Sequence, residues 1–303
     1  MAPINFPLFA MHLETHIPSA SWRWGVLTAS YSIPGCLGHL QFSLWLVRHR
    51  AGAQGTYAYA DAVPLLVAVG AAALIAWLIF TFRRHPHQKT ILAYWLAWAA
   101  CVALMDRYLT FSINEYAHYP QYGLLAWLLA KTLDPQRQRF DSGRVIFWVT
   151  LMGMGDEVLQ YLWTTTRYSE YLDFNDFLVN LIAAAAGVMV YYAKAPSAPA
   201  LSRPSLSKAE LYTALALLLG VLAAYACDRL VYAPVGLVPP GGLAPNSDGL
   251  WQLYLQRAPG LYGSWPEGKR HGTYFVLPPV PALVTMAALG CVFGHYGKTR
   301  RRG

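Results

Sequence analysis

The sequence predicts an all-α fold: a polytopic transmembrane helix bundle of about seven spans, preceded by an N-terminal segment that is either a broken span or an interfacial helix. Two observations carry that prediction. Hydrophobic residues make up 56% of the 303 residues and charged residues only 13%, about half the charged share of an ordinary soluble domain. The apolar residues are gathered into long runs, and a bilayer core about 30 Å thick needs about 20 such residues per helix.

The runs 61–82 (DAVPLLVAVGAAALIAWLIFTF) and 89–110 (KTILAYWLAWAACVALMDRYLT) are each long enough to cross. The third, 120–133, is short and gains length only if its helix starts near Asn114. Pro120 fits there in a first turn or at a kink. The runs 145–164, 174–194, 209–228 and 273–296 complete the seven. The stretch 22–48 has the length to cross but is interrupted by Pro34-Gly35, Gly38 and His39, which leaves the broken and the interfacial alternatives both open. The opening MAPINFPLFAMHLETHIP lacks a basic region followed by a compact apolar stretch, so no cleaved signal peptide is expected.

Three regions follow from composition: an N-terminal segment 1–60, a helical core 61–196, and a C-terminal helix pair within 197–303. The Pro/Ser/Ala-rich stretch 195–208 marks the second boundary. The last pair brackets a long 229–272 loop rich in Gly, Pro and aromatic residues, among them Trp251, Tyr254, Tyr262 and Trp265. Packing as a cap, with aromatic anchors at headgroup level, is its expected role.

The net charge of +8 comes from 23 Lys and Arg against 15 Asp and Glu. These basic residues flank apolar runs rather than forming a stripe, so they are read as orientation signals and not as a nucleic-acid surface. Arg83, Arg84 and Lys89 share one loop; Arg137, Arg139 and Arg144 the next but one; then come Lys194, Arg203 and Lys208, and the tail with Lys298, Arg300, Arg301 and Arg302. With these clusters on the cytoplasmic side, the C-terminus is cytoplasmic and the loops 111–119, 165–173 and 229–272 face outward. Cys36, Cys101, Cys227 and Cys291 are scattered without ligand spacing; neither a disulfide framework nor a metal or other cofactor is expected.

Ionisable groups inside a span cost about 2.5–3.5 kcal/mol each on insertion scales, so their grouping is informative. The first group is Glu115, His118 and Tyr122, three and then four residues apart, which one helix places on one side. The second is Gly155-Asp156-Glu157 with Gln160 a turn beyond. Neighbouring helix positions point about 100° apart, so Asp156 and Glu157 are expected to meet different helices. The third is Arg167 with Asp173, Asp176 and Asn180, the last three aligned on one helical face. Asp173 is also suited to cap that helix, and Arg167 to act as a counter-ion for Asp173 or Glu157. At a rise of about 1.5 Å per residue, Glu157 and Asn180 lie about 10 Å below the outer ends of their helices. One polar pocket opening outward is therefore expected. The run Ala183-Ala184-Ala185-Ala186-Gly187 permits close approach of a neighbouring helix.

Taken in order, Glu115-x-x-His118 with Tyr122-Gly123, Gly155-x-Glu157-x-x-Gln160, and Arg167 followed by Asp173-x-x-Asp176-x-x-x-Asn180 and Gly187 resemble the VanZ-like family of bacterial membrane proteins. The resemblance covers about 90–194. It implies a bacterial cytoplasmic membrane and a cell-envelope role of the glycopeptide-resistance type, with no molecular activity attached.

Three function classes follow. An envelope factor binding a lipid-linked or glycolipid molecule is expected first, with membrane lipids as its surroundings. A subunit of a larger membrane protein complex comes second. Third is a membrane-embedded hydrolase or transferase using His118 and Glu157 as acid and base with Arg167 as an anion clamp. Against the third, the chain has no Gly-x-Ser-x-Gly elbow, no His-Glu-x-x-His pair and no phosphate loop. A transporter is disfavoured because the acids stay in the outer half.

Overall fold

The computed structural model describes residues 22–32, 35, 59–84, 89–111, 113–167, 169–193, 195, 206–263, 267–268 and 272–296. Eight helices lie within them: α1 (22–32), α2 (Tyr59–Arg84), α3 (Lys89–Tyr108), α4 (His118–Leu133), α5 (Ser142–Leu159), α6 (Phe174–Tyr192), α7 (Lys208–Ala226) and α8 (Pro279–Gly294). Each of the seven predicted runs contains one of α2 to α8. Four of these, α2, α3, α6 and α7, are long and apolar enough to cross a membrane. Helices α4 and α8 have 16 residues each, and α5 carries Arg144, Asp156 and Glu157 within its 18.

Helix α6 is the hub. It is buried along nearly its whole length and packs most extensively on α4, then on α5, α8 and α3. Small side chains make this possible. A methyl group added at Gly187 would stand 2.0 Å from the carbonyl oxygen of Gly123, and one at Gly123 would stand 3.4 Å from that of Ala183. The backbones of α4 and α6 therefore touch, as the Ala183–Gly187 run predicts. A similar approach joins Gly294 of α8 to Gly143 of α5, where an added methyl would meet the Gly143 Cα at 3.1 Å.

Helices α2 and α7 are equally apolar but bear bulky side chains that point away from the protein. Leu65, Leu66 and Ile75 on α2, and Leu218, Leu219 and Val221 on α7, are exposed. Exposed aliphatic surface on this scale is stable against lipid chains and not against water. Helix α7 starts with a capping box between Ser207 and Glu210. Glu210, its only buried residue, accepts from Arg144 Nε at 2.9 Å and Trp148 Nε1 at 3.0 Å on α5.

The segment 22–32 lies alongside α4. Thr28 Oγ1 is 3.0 Å from Thr132 Oγ1, and the Tyr31 hydroxyl donates to the Gln121 carbonyl at 3.2 Å. Whether 22–48 crosses turns on 33–34 and 36–48, which lie outside the described residues, as do Lys194, Arg203, Trp265 and the basic tail.

Helix α4 begins at His118, preceded by a 3-10 turn at Ile113–Ala117. Pro120 sits in its first turn, where a missing N–H costs nothing. At its other end, Asp134 takes the amides of Gln138, Arg139 and Phe140 on its carboxylate at 2.9–3.0 Å, which closes the turn into α5.

The loop between α7 and α8 folds as a cap. Strand β3 (Trp251–Tyr254) pairs in parallel with β1 (Leu230–Val231) and antiparallel with β2 (Leu243–Pro245), and β4 (Glu267–Gly268) pairs with β5 (Gly272–Thr273). The cap is pinned to the bundle by backbone bonds from Leu172 N to Leu255 O, Arg257 N to Glu170 O and Phe275 N to Tyr108 O, at 2.7–2.8 Å. Asn175, wholly buried, adds a side-chain clamp: its amide donates to Leu109 O and Phe275 O and accepts from Leu277 N. Residues near 109, 172 and 275 are thus gathered at one end of the bundle.

Candidate functional site

A cavity of about 530 Å³ lies between that cap, the C-terminal end of α5 and the N-terminal end of α6. Its polar lining includes Glu157, Gln160, Glu170, Asp173 and Asp176, and its aromatic walls are Phe111, Tyr161, Tyr171 and Tyr274. The cap contributes Leu261 and, just before α8, Tyr274 and Val276.

Helix α5 passes into a π-helical turn at Gln160–Thr164 just where it meets the cavity. Such turns swing successive side chains out of α-helical register, and here both Gln160 and Tyr161 reach the cavity wall. The Tyr161 hydroxyl donates to Tyr254 O at 2.7 Å and so ties the turn to the cap. Gly242 makes that contact possible: at φ 65° its missing side chain leaves room for Tyr161, whose hydroxyl oxygen would otherwise lie 2.3 Å from a Cβ.

Beneath the cavity sits a second tier of buried polar groups. His118 Nδ1 is 2.7 Å from Asn180 Oδ1 and 3.8 Å from Glu157 Oε1. The Tyr122 hydroxyl, fully buried, donates to Asp156 Oδ2 at 2.7 Å. Gly153 on α5 admits the Asn180 amide, whose nitrogen would stand 2.7 Å from a Cβ at that position. Three helices, α4, α5 and α6, therefore supply one polar knot whose upper face is the cavity floor.

Asp173 has two roles. It caps α6 by accepting the Asn175 amide at 2.8 Å, and it lines the cavity. Burial pushes its carboxyl well above the usual range, the neighbouring Asp176 carboxylate adds to this, and the Asn175 amide pulls it partly back. Burial likewise raises the phenols of Tyr171 and Tyr262. Tyr171 and Tyr274 oxygens lie 3.1 Å apart, and Tyr262 donates to the carbonyls of Leu172 and Leu255 at 2.8 Å.

Of the residues expected from sequence, His118, Glu157, Asp176 and Asn180 come together, with Tyr122, Asp156, Gln160 and Asp173 immediately around them. Glu115 does not join them as expected. Its carboxylate turns back instead to accept the Phe111 amide at 3.0 and 3.1 Å. Asp156 and Glu157 also differ from expectation, since both meet α4. Tyr122 takes one and His118, one helical turn earlier, takes the other.

Arg167 is exposed, lies outside the cavity lining and forms no ion pair among the described residues. The guanidinium at this turn belongs instead to Arg257 of the cap, which donates to Thr166 O at 3.2 Å and to Ser169 O at 3.4 Å. Arg257, Tyr171 and Tyr274 lie in loops, where no periodicity marks an inward side chain.

Comparison of the chain with family models, with characterised proteins and with solved structures gave no match.

Proposed function

We propose that the chain is a seven-span, VanZ-like protein of the bacterial cytoplasmic membrane whose outward-facing cavity binds the polar headgroup of a lipid-linked or glycolipid envelope molecule. The observation that carries this reading is the convergence of three separated sequence groups on one cavity. His118 and Tyr122, then Asp156, Glu157 and Gln160, then Asp173, Asp176 and Asn180 supply one polar knot under aromatic walls. A pocket with a mostly apolar lining and a few convergent polar groups suits an amphipathic ligand.

The seven-span count is supported by α4, α5 and α8 packing on the buried α6, since a helix inside a bundle needs less apolar surface of its own. The C-terminus is then cytoplasmic and the cap external. A second reading, docking onto a partner subunit, is favoured by one observation: Val235, Leu237 and Trp251 on the cap are exposed.

Native mass spectrometry of the gently extracted protein separates the two. The binding reading expects a specific lipid retained by wild type and lost in Glu157→Ala, with the bundle still folded. Stoichiometric protein partners and no lipid dependent on Glu157 overturn it in favour of the subunit reading.

A further inference from the structure

The cavity floor poses a charge problem. Glu157 and Asp176 approach within 4.8 Å of each other, and no Lys or Arg among the described residues pairs with either. Buried carboxylates without a cation are costly, and an acidic floor repels the phosphate that joins most lipid headgroups to their anchors.

We infer that His118, Glu157 and Asp176 form a binding site for one divalent transition cation of the Zn²⁺ or Mn²⁺ class, which bridges the acidic floor to an anionic headgroup. This deepens the headgroup-binding reading and rests on it for the bridging role. One ligand atom from each of the three residues lies within 4.8 Å of the others. Two donor atoms bound to one ion at about 2.0–2.2 Å in tetrahedral geometry stand about 3.3–3.6 Å apart, so side-chain closure of up to about 1.5 Å completes the site.

The donor set is mixed, one imidazole and two carboxylates drawn from three helices, and such N/O ligation suits Zn²⁺ or Mn²⁺ better than the softer metals. Asn180 reinforces the geometry. It has no exposed surface, and its Oδ1 sits 2.7 Å from His118 Nδ1, the same nitrogen that faces Glu157 at 3.8 Å. With Nδ1 on the ion, the neutral ring carries its proton on Nε2, and Asn180 Oδ1, no longer accepting from Nδ1, is free to serve as a further oxygen donor. Asp176 Oδ1 is buried without a hydrogen-bond partner, and an ion accounts for it directly. Gln160 and Asp173 stand beside the position where a headgroup oxygen completes the coordination.

The test uses the full chain in mild detergent, stripped with chelator and titrated with Zn²⁺ alone, the uptake being read by calorimetry and by elemental mass spectrometry. The expected result is about one Zn²⁺ per chain, weakened about tenfold or more by Glu157→Gln and by Asp176→Asn, and unchanged by Arg167→Ala. The wild-type stoichiometry needs no variant to fold. Substoichiometric uptake by wild type, or uptake that survives both carboxylate changes, overturns the site. Lipid retention dependent on Glu157 without metal uptake defeats the cation and leaves the headgroup reading standing; metal uptake without retained lipid does the reverse.

Discussion

Gly187 of α6 and Gly123 of α4 are in backbone contact, with a Cβ at 187 falling 2.0 Å from the Gly123 carbonyl oxygen. A carbonyl in a helix cannot step aside as a flexible side chain can. The contact sets the separation of the two helices that carry His118 and Asn180, so the fold and the site share one spacing.

Gly187→Ala is therefore expected to destabilise the bundle by about 2–3 kcal/mol through overpacking and to pull His118 away from Asn180. Denaturation in mixed micelles, followed by tryptophan fluorescence, measures the first effect. Gly70→Ala on α2, where nothing lies within 4 Å of an added methyl, is expected to leave stability unchanged.

Tyr122→Phe removes a donor from a carboxylate that is itself buried. The expected cost is about 1–3 kcal/mol, read in the same denaturation experiment. Tyr161→Phe, at the cap, is expected to affect retention of the ligand more than unfolding, since it frees the cap and not the bundle.

Gly242→Ala asks a residue at φ 65° to carry a side chain into the Tyr161 hydroxyl. The cap is expected to lift from the π-helical turn, with faster hydrogen–deuterium exchange across 251–257 and weaker lipid retention, while exchange within α6 stays slow.

Arg257→Ala and Arg167→Ala are expected to part company. Arg257 holds the Thr166 and Ser169 carbonyls, and its loss is expected to weaken ligand binding about tenfold, the equivalent of about one hydrogen bond. Arg167 is exposed, and its loss is expected to change nothing that native mass spectrometry reads.

That contrast shows what was legible in the sequence. All seven apolar runs contain helices, because hydropathy reports burial from water whether the cover is lipid or protein. It does not separate the two: α6 is enclosed and α7 is not, and the difference lies in side-chain size along Ala183–Gly187 against the Leu-rich face of α7. His118, Glu157, Asp176 and Asn180 were legible as charges and amides inside helices, where each needs a partner. Glu115 departs from the group because its carboxylate is taken by the Phe111 amide at the start of the turn, a local bond that helical spacing does not report. Arg167 was overvalued because proximity in sequence to Asp173 says little across an irregular turn. Of the aromatic walls, Phe111, Tyr171 and Tyr274 come from loops that meet only after the cap has folded.

The most direct test of a headgroup cavity is photocrosslinking in intact membranes, with a photoreactive amino acid in place of Tyr171 in the cavity wall or of Tyr212 on the exposed face of α7. The account predicts a distinct lipid species enriched at position 171 and lost when Glu157→Ala is added, against bulk lipid alone at position 212. The same bulk lipids at both positions, unaltered by Glu157→Ala, would contradict it.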